Sequence, residues 1–201
     1  ICYNGDPAAF NSVDNGTASG TISYRWESYS GAGPWITVSG ATAATYDPPA
    51  PVTVTTQYRR IVISVLNGVS CESAPSNTLT VTVLAAVVAP VVTADQTICY
   101  NTAPAAIIHT AATGGSGNFS YQWQSSPDNT TWTDIVGQTG VSYTPGALTS
   151  TTYYRVVVTD ASCGPFNSNA ITITVRPVLV TPDICCNQVV CSNSSPSALT
   201  M

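Results

Sequence analysis

The chain has 201 residues, a formal net charge of −5 and 7% charged residues, and all five of its basic residues are arginine. Nucleic acids and anionic membranes bind basic surfaces, so this composition argues against both as partners. The longest apolar run, residues 81–92, is broken by Pro90 and is shorter than the roughly 20 residues of a membrane-spanning helix, so no membrane insertion is expected.

A ten-residue motif occurs three times along the chain, beginning at Ile1, Ile98 and Val190. Each copy reads apolar-Cys-x-Asn-x-x-Pro-x-Ala-apolar, and the successive motif cysteines are 97 and 92 positions apart. A fixed period of this length is typical of whole domains in tandem and is much longer than a solenoid repeat. The period predicts three units: a first module over residues 1–84, a second over 89–180, and the start of a third over 181–201.

The first two modules align almost throughout their length. Matching positions include Tyr24–Trp26 with Tyr121–Trp123, Trp35 with Trp132, Arg59 with Arg155, and Cys71 with Cys163. Aromatic and polar residues alternate along these segments, as in a half-buried strand, and turn-forming residues separate them. No segment carries a helical stripe. The pattern predicts an all-β chain of tandem Ig-like antiparallel β-sandwich modules.

The joints between modules have equal length, because Val83 to Cys99 and Val175 to Cys191 each span 16 positions. Both joints are short, apolar and proline-bearing, and such segments are stiffer than Gly/Ser linkers. Each joint is expected to lead directly into the first strand of the next module. The first module is therefore expected to lack its opening strand, and residues 181–201 to supply one for a third module.

The chain has seven cysteines, of which five recur at fixed places in the repeats, and this is typical of an oxidising, extracellular compartment. We predict one disulfide within each module, joining Cys2 to Cys71 and Cys99 to Cys163. The pairing of three cysteines near the end of the chain is left open. Cys191 would pair with a residue beyond Met201. The additional Cys185 and Cys186 would bridge each other, bond a neighbouring chain or stay reduced. Their spacings do not fit a zinc site and no histidine lies nearby, so neither metal nor cofactor is expected.

The four tryptophans fall into two pairs. Trp26 and Trp123 lie in the middle of strand-like segments and are predicted core residues. Trp35 and Trp132 follow turns, where an indole either stacks on a sugar ring or packs on a sheet face. The single histidine, His109, has no counterpart in the first module and is interpreted as a surface strand residue. No hydrolase or metalloprotease motif surrounds it, so no catalytic residue is predicted.

Several of these features resemble a known type of repeat. They are the run Gly114–Gln124, Trp132, the run Thr151–Val156, Cys163 and Ser168–Asn169. Together they resemble the Ig-like and PKD-like repeats of very large secreted cell-surface proteins of the Bacteroidota, including SprB-like gliding adhesins. The resemblance implies a long filament or stalk on the cell surface, exported and without catalytic residues in its repeats.

The expected function is that of a structural and adhesive repeat segment, with modules acting as stiff spacers in an extracellular filament. The expected partners are neighbouring modules of the same protein, with head-to-tail self-association, and a surface polysaccharide or other glycan. The alternative is a pair of carbohydrate-binding modules attached to a secreted hydrolase. That alternative requires Trp35 and Trp132 to be exposed beside a groove.

Overall fold

The computed structural model describes residues 1–180 and 192–195, and its secondary structure consists of strands. The predicted start of the third module and the three cysteines Cys185, Cys186 and Cys191 lie outside these residues, apart from 192–195. Within the described ranges no helix is long and apolar enough to cross a membrane.

The first module is built on a five-stranded antiparallel sheet. Its strands are β1 (Thr21–Tyr29), β2 (Ile36–Thr37), β3 (Thr56–Leu66), β4 (Val69–Glu72) and β5 (Leu79–Val81). The order is β2-β1-β3-β4, and β5 pairs with the first half of β3. Two isolated bridges, Gly5 with Val52 and Phe10 with Tyr46, mark the opposite face of the sandwich.

The second module repeats this plan with more complete strands. They are β6 (Ala85–Val88), β7 (Gln96–Cys99), β8 (Ile107–Ile108), β9 (Thr113–Gly115), β10 (Phe119–Ser126), β11 (Thr133–Asp134), β12 (Ser142–Tyr143), β13 (Thr152–Asp160), β14 (Gly164–Asn167) and β15 (Ile171–Arg176). The main sheet has the order β11-β10-β13-β15-β7, with β14 paired to the second half of β13. Strands β8 and β12 face it from the other side.

One pairing in the second module is parallel. Strand β7 runs beside β15 in the register Ile173 with Gln96 to Arg176 with Cys99. The first module keeps the same contact at Ile1, whose amino group donates to the carbonyl oxygen of Thr82 at 2.7 Å. The backbone N–H of Leu84 in turn donates to the carbonyl oxygen of Ile1 at 2.8 Å. The first residues of the motif therefore lie beside the end of the module's last strand, where the chain continues to the next module.

Buried and more accessible residues alternate along β13, and this pattern explains how the strand forms the centre of the second core. Tyr154, Val156 and Val158 are buried on one face, and the residues between them are more accessible. Trp123 is fully buried and packs in the same cluster as Val156. Its indole N–H donates to the carbonyl oxygen of Gly140 at 2.9 Å, so the polar atom of this large side chain is satisfied.

The first core uses the same device with fewer buried residues. Trp26 packs with Tyr58 and Val81, and its indole N–H donates to the carbonyl oxygen of Ala43 at 3.0 Å. Phe10 and Tyr46 close this core from the opposite side, with ring centroids 5.9 Å and 5.5 Å from the indole. The predicted fold class, tandem Ig-like antiparallel β-sandwich modules, is confirmed, and both predicted core tryptophans are buried.

We predict that Trp123→Ala lowers the free energy of unfolding of the second module by about 3–5 kcal/mol, because it removes a fully buried ring and leaves a cavity. Urea denaturation followed by far-ultraviolet circular dichroism measures the change. The matched control is Val136→Ala at a fully exposed position, where a change within about 0.5 kcal/mol is expected. Equal midpoints for the two variants would contradict the assignment of Trp123 to the core.

Candidate functional site at the joint between the modules

The joint between the modules contains almost no free chain. Strand β5 ends at Val81 and β6 begins at Ala85, so only residues 82–84 lie between them. Leu84 is already bonded to Ile1, and the N–H of Val83 donates to the hydroxyl oxygen of Thr55 at 2.9 Å. The connecting segment is therefore part of the first sandwich until the second begins.

The chain enters the second module as a paired strand. Strand β6 lies antiparallel to β9, with Ala85 opposite Gly115 and Val88 opposite Thr113. The approach is so close that a Cβ at Gly114 would lie 2.0 Å from the carbonyl oxygen of Ala86. Gly114 also has a φ of 81°, which side-chain-bearing residues rarely adopt. The absence of a side chain at Gly114 thus gives β6 room to pair with β9.

A disulfide crosses this joint. Cys2 of the first module is bonded to Cys163 of the second, with 5.5 Å between their Cα atoms and a sequence separation of 161. The predicted bridges within each module, Cys2 with Cys71 and Cys99 with Cys163, are wrong in this structure. Cys71 and Cys99 are free thiols, and both are exposed.

The parallel pairing of β7 with β15 explains the different connectivity. Cys99 lies opposite Arg176, at the end where the chain leaves the module, whereas Cys163 lies in the turn between β13 and β14 at the other end. At about 3.3 Å per residue, the intervening sheet is roughly 35 Å long. Cystine formation needs Cα atoms within about 7 Å. A bridge inside one module is therefore excluded, and contact between successive modules brings Cys2 to Cys163.

Asp160 holds the cystine-bearing turn in place. It is 2% exposed, and one carboxylate oxygen accepts the backbone N–H groups of Ser162 at 2.9 Å and Cys163 at 2.8 Å. The other oxygen accepts the N–H of Ser116 at 2.9 Å and its hydroxyl at 2.8 Å. Burial opposes ionisation, but these four hydrogen bonds outweigh it and lower the pKa of Asp160. The carboxylate thus ties the turn of Cys163 to the loop beside the joint strand.

The two predicted ligand-stacking tryptophans, Trp35 and Trp132, are half-buried. The guanidinium of Arg59 stacks 4.2 Å from the ring centroid of Trp35, and Arg155 stacks at the same distance on Trp132. A cation–π contact therefore occupies one face of each indole. This repeated arrangement favours the packing interpretation of these residues over the sugar-stacking one.

The charged groups around these stacks differ between the modules. In the first, Arg59 donates to Glu27 at 2.7 Å. In the second, Arg155 donates to the side-chain oxygen of Gln124 at 2.8 Å. The same arginine–tryptophan contact is therefore supported by an ion pair in one module and by a hydrogen bond from the guanidinium to a neutral amide in the other, which identifies the contact as a recurring structural feature of the module.

His109 is 6% exposed, so its interpretation as a surface residue is wrong. Its ring packs 4.5 Å from that of Tyr121 and 5.7 Å from that of Trp123, and Nδ1 lies 2.7 Å from the carbonyl oxygen of Thr110. Its position two residues after the buried Ile107 places it on the inward face of the strand. Within residues 1–180 and 192–195, no cluster of three or more His, Cys, Asp or Glu residues is placed to hold a metal ion.

The sequence matches one family model twice, over residues 1–85 and 88–177. The chain belongs to this family, which is described as Domain of unknown function (DUF8696). The two DUF8696 matches meet at the joint described above. No curated protein matches the chain. Among solved structures, the fibronectin(III)-like modules of Clostridium thermocellum CbhA match with 16% identity, 88% coverage of each chain and a TM-score of 0.35.

We predict that peptide mapping of the oxidised, unreduced protein recovers a Cys2–Cys163 linked peptide. Cys163→Ser is expected to lower the thermal midpoint, because closing a loop of this length stabilises by about 5 kcal/mol in the chain-entropy model. Cys71→Ser is the matched control, since it removes an exposed thiol and leaves the cystine intact. Recovery of Cys2–Cys71 or Cys99–Cys163 as the main linked peptide would contradict the assignment.

A second prediction concerns pH. Because folding lowers the pKa of Asp160, its stabilising contribution is present above the unfolded pKa of about 4 and is lost as pH falls through the folded pKa. Asp160→Asn should therefore weaken the dependence of the second module's urea midpoint on pH between about pH 5 and pH 2. Parallel curves for the wild-type protein and the variant would show that Asp160 contributes nothing to this dependence.

Proposed function

We propose that this chain is a structural repeat segment of an extracellular cell-surface filament or stalk, in which the modules act as stiff spacers. The observation that carries the proposal is the cystine Cys2–Cys163, which joins the two modules across a joint without slack. A flexible linker between binding domains would need no disulfide between the domains. It would also not need the first strand of the second domain to begin one residue after the last contact with the first domain.

The joint also resists bending through its hydrogen bonds. The connecting segment is bonded to Ile1 and Thr55 on one side, and on the other it pairs with β9. Rotation of one module against the other would have to break these contacts or strain the cystine. Domains usually move relative to each other when few contacts cross the boundary between them. Here a disulfide crosses the boundary, so such motion is restricted.

The cystine favours an extracellular location for the chain, because such bonds persist in oxidising compartments and are rare in the cytosol. The proposed setting is the surface of a cell, as the resemblance to Bacteroidota surface proteins of the SprB-like type implies. In this proposal the partners are neighbouring modules of the same protein, and any surface glycan or adhesion target is bound elsewhere in the filament.

Two carboxylates whose pKa values are lowered by hydrogen bonds to turns support a structural role. Asp128 accepts the backbone N–H groups of Thr131 at 2.7 Å and Thr130 at 2.8 Å, together with the hydroxyl of Ser126 at 2.9 Å. These hydrogen bonds hold the pKa of Asp128 well below its usual range. Asp128 and Asp160 thus both cap turns in the ionised form, which suits neither a general acid nor a general base at neutral pH. We therefore propose that the modules have no catalytic function.

The experiment is single-molecule stretching of the chain held by its two ends. With the cystine intact, force passes from Cys2 directly to Cys163, and the residues between them cannot extend. Reduction should release about 550 Å of additional contour length, at about 3.3–3.6 Å per residue over the separation of 161.

The matched variants separate the cystine from the other thiols. Cys163→Ser should give the long extension without reductant, and Cys71→Ser should behave like the wild-type protein. Equal contour lengths for the oxidised and reduced protein would contradict a mechanical role for the joint, and with it the proposed function.

A further inference from the structure

The cystine across the joint connects two cysteines that each have a counterpart in the other module. Cys2 and Cys99 occupy the same place in the motif, and Cys71 and Cys163 occupy the same place in the last hairpin of their modules. The bond Cys2–Cys163 therefore joins a motif cysteine of one module to a hairpin cysteine of the next. Within the part of the chain that the structure describes, one cysteine of each kind remains, Cys99 and Cys71, and both are exposed thiols.

The two free thiols lie at the ends of their modules that face away from the joint. Cys99 lies opposite Arg176, at the end of β15. Cys2 has the corresponding position in the first module, because it follows Ile1, which is hydrogen-bonded to Thr82 after the end of β5. Cys71 lies opposite Ser64 in the hairpin of β3 and β4. Each thiol thus lies where its bonded counterpart meets a neighbouring module.

The tip of the hairpin in the first module provides a second observation that points to a neighbouring module. Its turn, Asn67–Gly68, has φ values of 52° and 78°, and the strands beside it extend beyond Cys71. At this tip Leu66 is 49% exposed and Val69 is 64% exposed. Adjacent exposed apolar side chains beside a free thiol are typical of a surface that another protein covers.

We propose that Cys71 and Cys99 form the same kind of cross-joint cystine with further copies of this module. Cys71 bonds the motif cysteine of a preceding module, and Cys99 bonds the hairpin cysteine of a following one. The occupant of the exposed hairpin tip is then the trailing end of another module of this type. This inference rests on the proposed function, because it supplies the means by which spacers join into a filament.

The bond forms by two thiol–disulfide exchanges with a small disulfide such as oxidised glutathione. The thiolate of Cys99 attacks one glutathione sulfur, forms a mixed disulfide and expels one glutathione thiolate. The thiolate of Cys71 from the second copy then attacks the Cys99 sulfur and expels the other. Two protein thiols are oxidised to one cystine, and one oxidised glutathione is reduced to two thiols, so electrons and protons balance.

Such bonds would overlap along the filament. The loop closed by Cys2 and Cys163 already contains Cys71 and Cys99, so a bond from Cys99 to a following module begins inside the first loop and closes outside it. Residues 99–163 would then belong to two closed loops. Force applied to the filament would pass from cystine to cystine, and neither sandwich would need to resist it alone.

The test uses the full chain with Cys185, Cys186 and Cys191 changed to Ser and the Cys2–Cys163 bond intact. In this background Cys71→Ser leaves Cys99 as the sole thiol, and Cys99→Ser leaves Cys71. The two variants are incubated separately and mixed at equal total concentration in a glutathione redox buffer, and dimers are counted on non-reducing gels. We expect the mixture to give at least about tenfold more dimer than either variant alone.

A third variant tests the exposed tip. Leu66→Asp, added to the variant that keeps Cys71, should reduce the mixed dimer several-fold while its thiol remains equally reactive toward a small disulfide. Dimers that form as readily from either variant alone as from the mixture would overturn the proposal, and so would the absence of mixed dimer. Neither result affects the stretching experiment, which depends on Cys2–Cys163 within one chain, so failure of this inference and failure of the proposed function are distinguishable.

Discussion

The parallel pairing of β7 with β15 is the constraint on which the rest of the structure depends. It places the beginning of the repeated motif at the end of the module where the chain leaves. A motif cysteine in that position is a sheet's length away from the hairpin cysteine of its own module and close to the hairpin of the next. The connectivity of the disulfide, the short joint and the locations of the free thiols all follow from this one pairing.

The two modules reach the same fold through different polar contacts. In the first module Glu27 accepts hydrogen bonds from Arg25 and Arg59, and Arg25 also pairs with Glu72. In the second module Arg155 instead donates to the neutral amide oxygen of Gln124, and a buried carboxylate, Asp160, lies at the joint. Glu27 is itself buried, and replacing a buried ion pair by neutral partners is often nearly neutral for stability, because the cost of desolvating the charges offsets their attraction. Asp160 is different, because it organises the turn that carries Cys163.

The amino-acid sequence was sufficient for the fold and insufficient for the disulfide. Alternation around Trp123 and the matching segments around Trp26 predicted the strands and the cores correctly, because burial imposes a period of two on a strand. His109 was misassigned even though the same alternation places it on the face of Ile107. The disulfide required knowledge of which end of the sheet each cysteine occupies. That depends on the direction of β7 relative to β15, and four residues of strand carry no local signal for it.

The central claim is that the joint fixes the two modules relative to each other. Residual dipolar couplings of the oxidised protein in a weakly aligning medium test it directly. The account predicts that couplings from residues 21–81 and from residues 85–176 fit a single alignment tensor, and that Cys163→Ser separates them into two. Two tensors of clearly different magnitude for the oxidised wild-type protein would contradict a stiff joint.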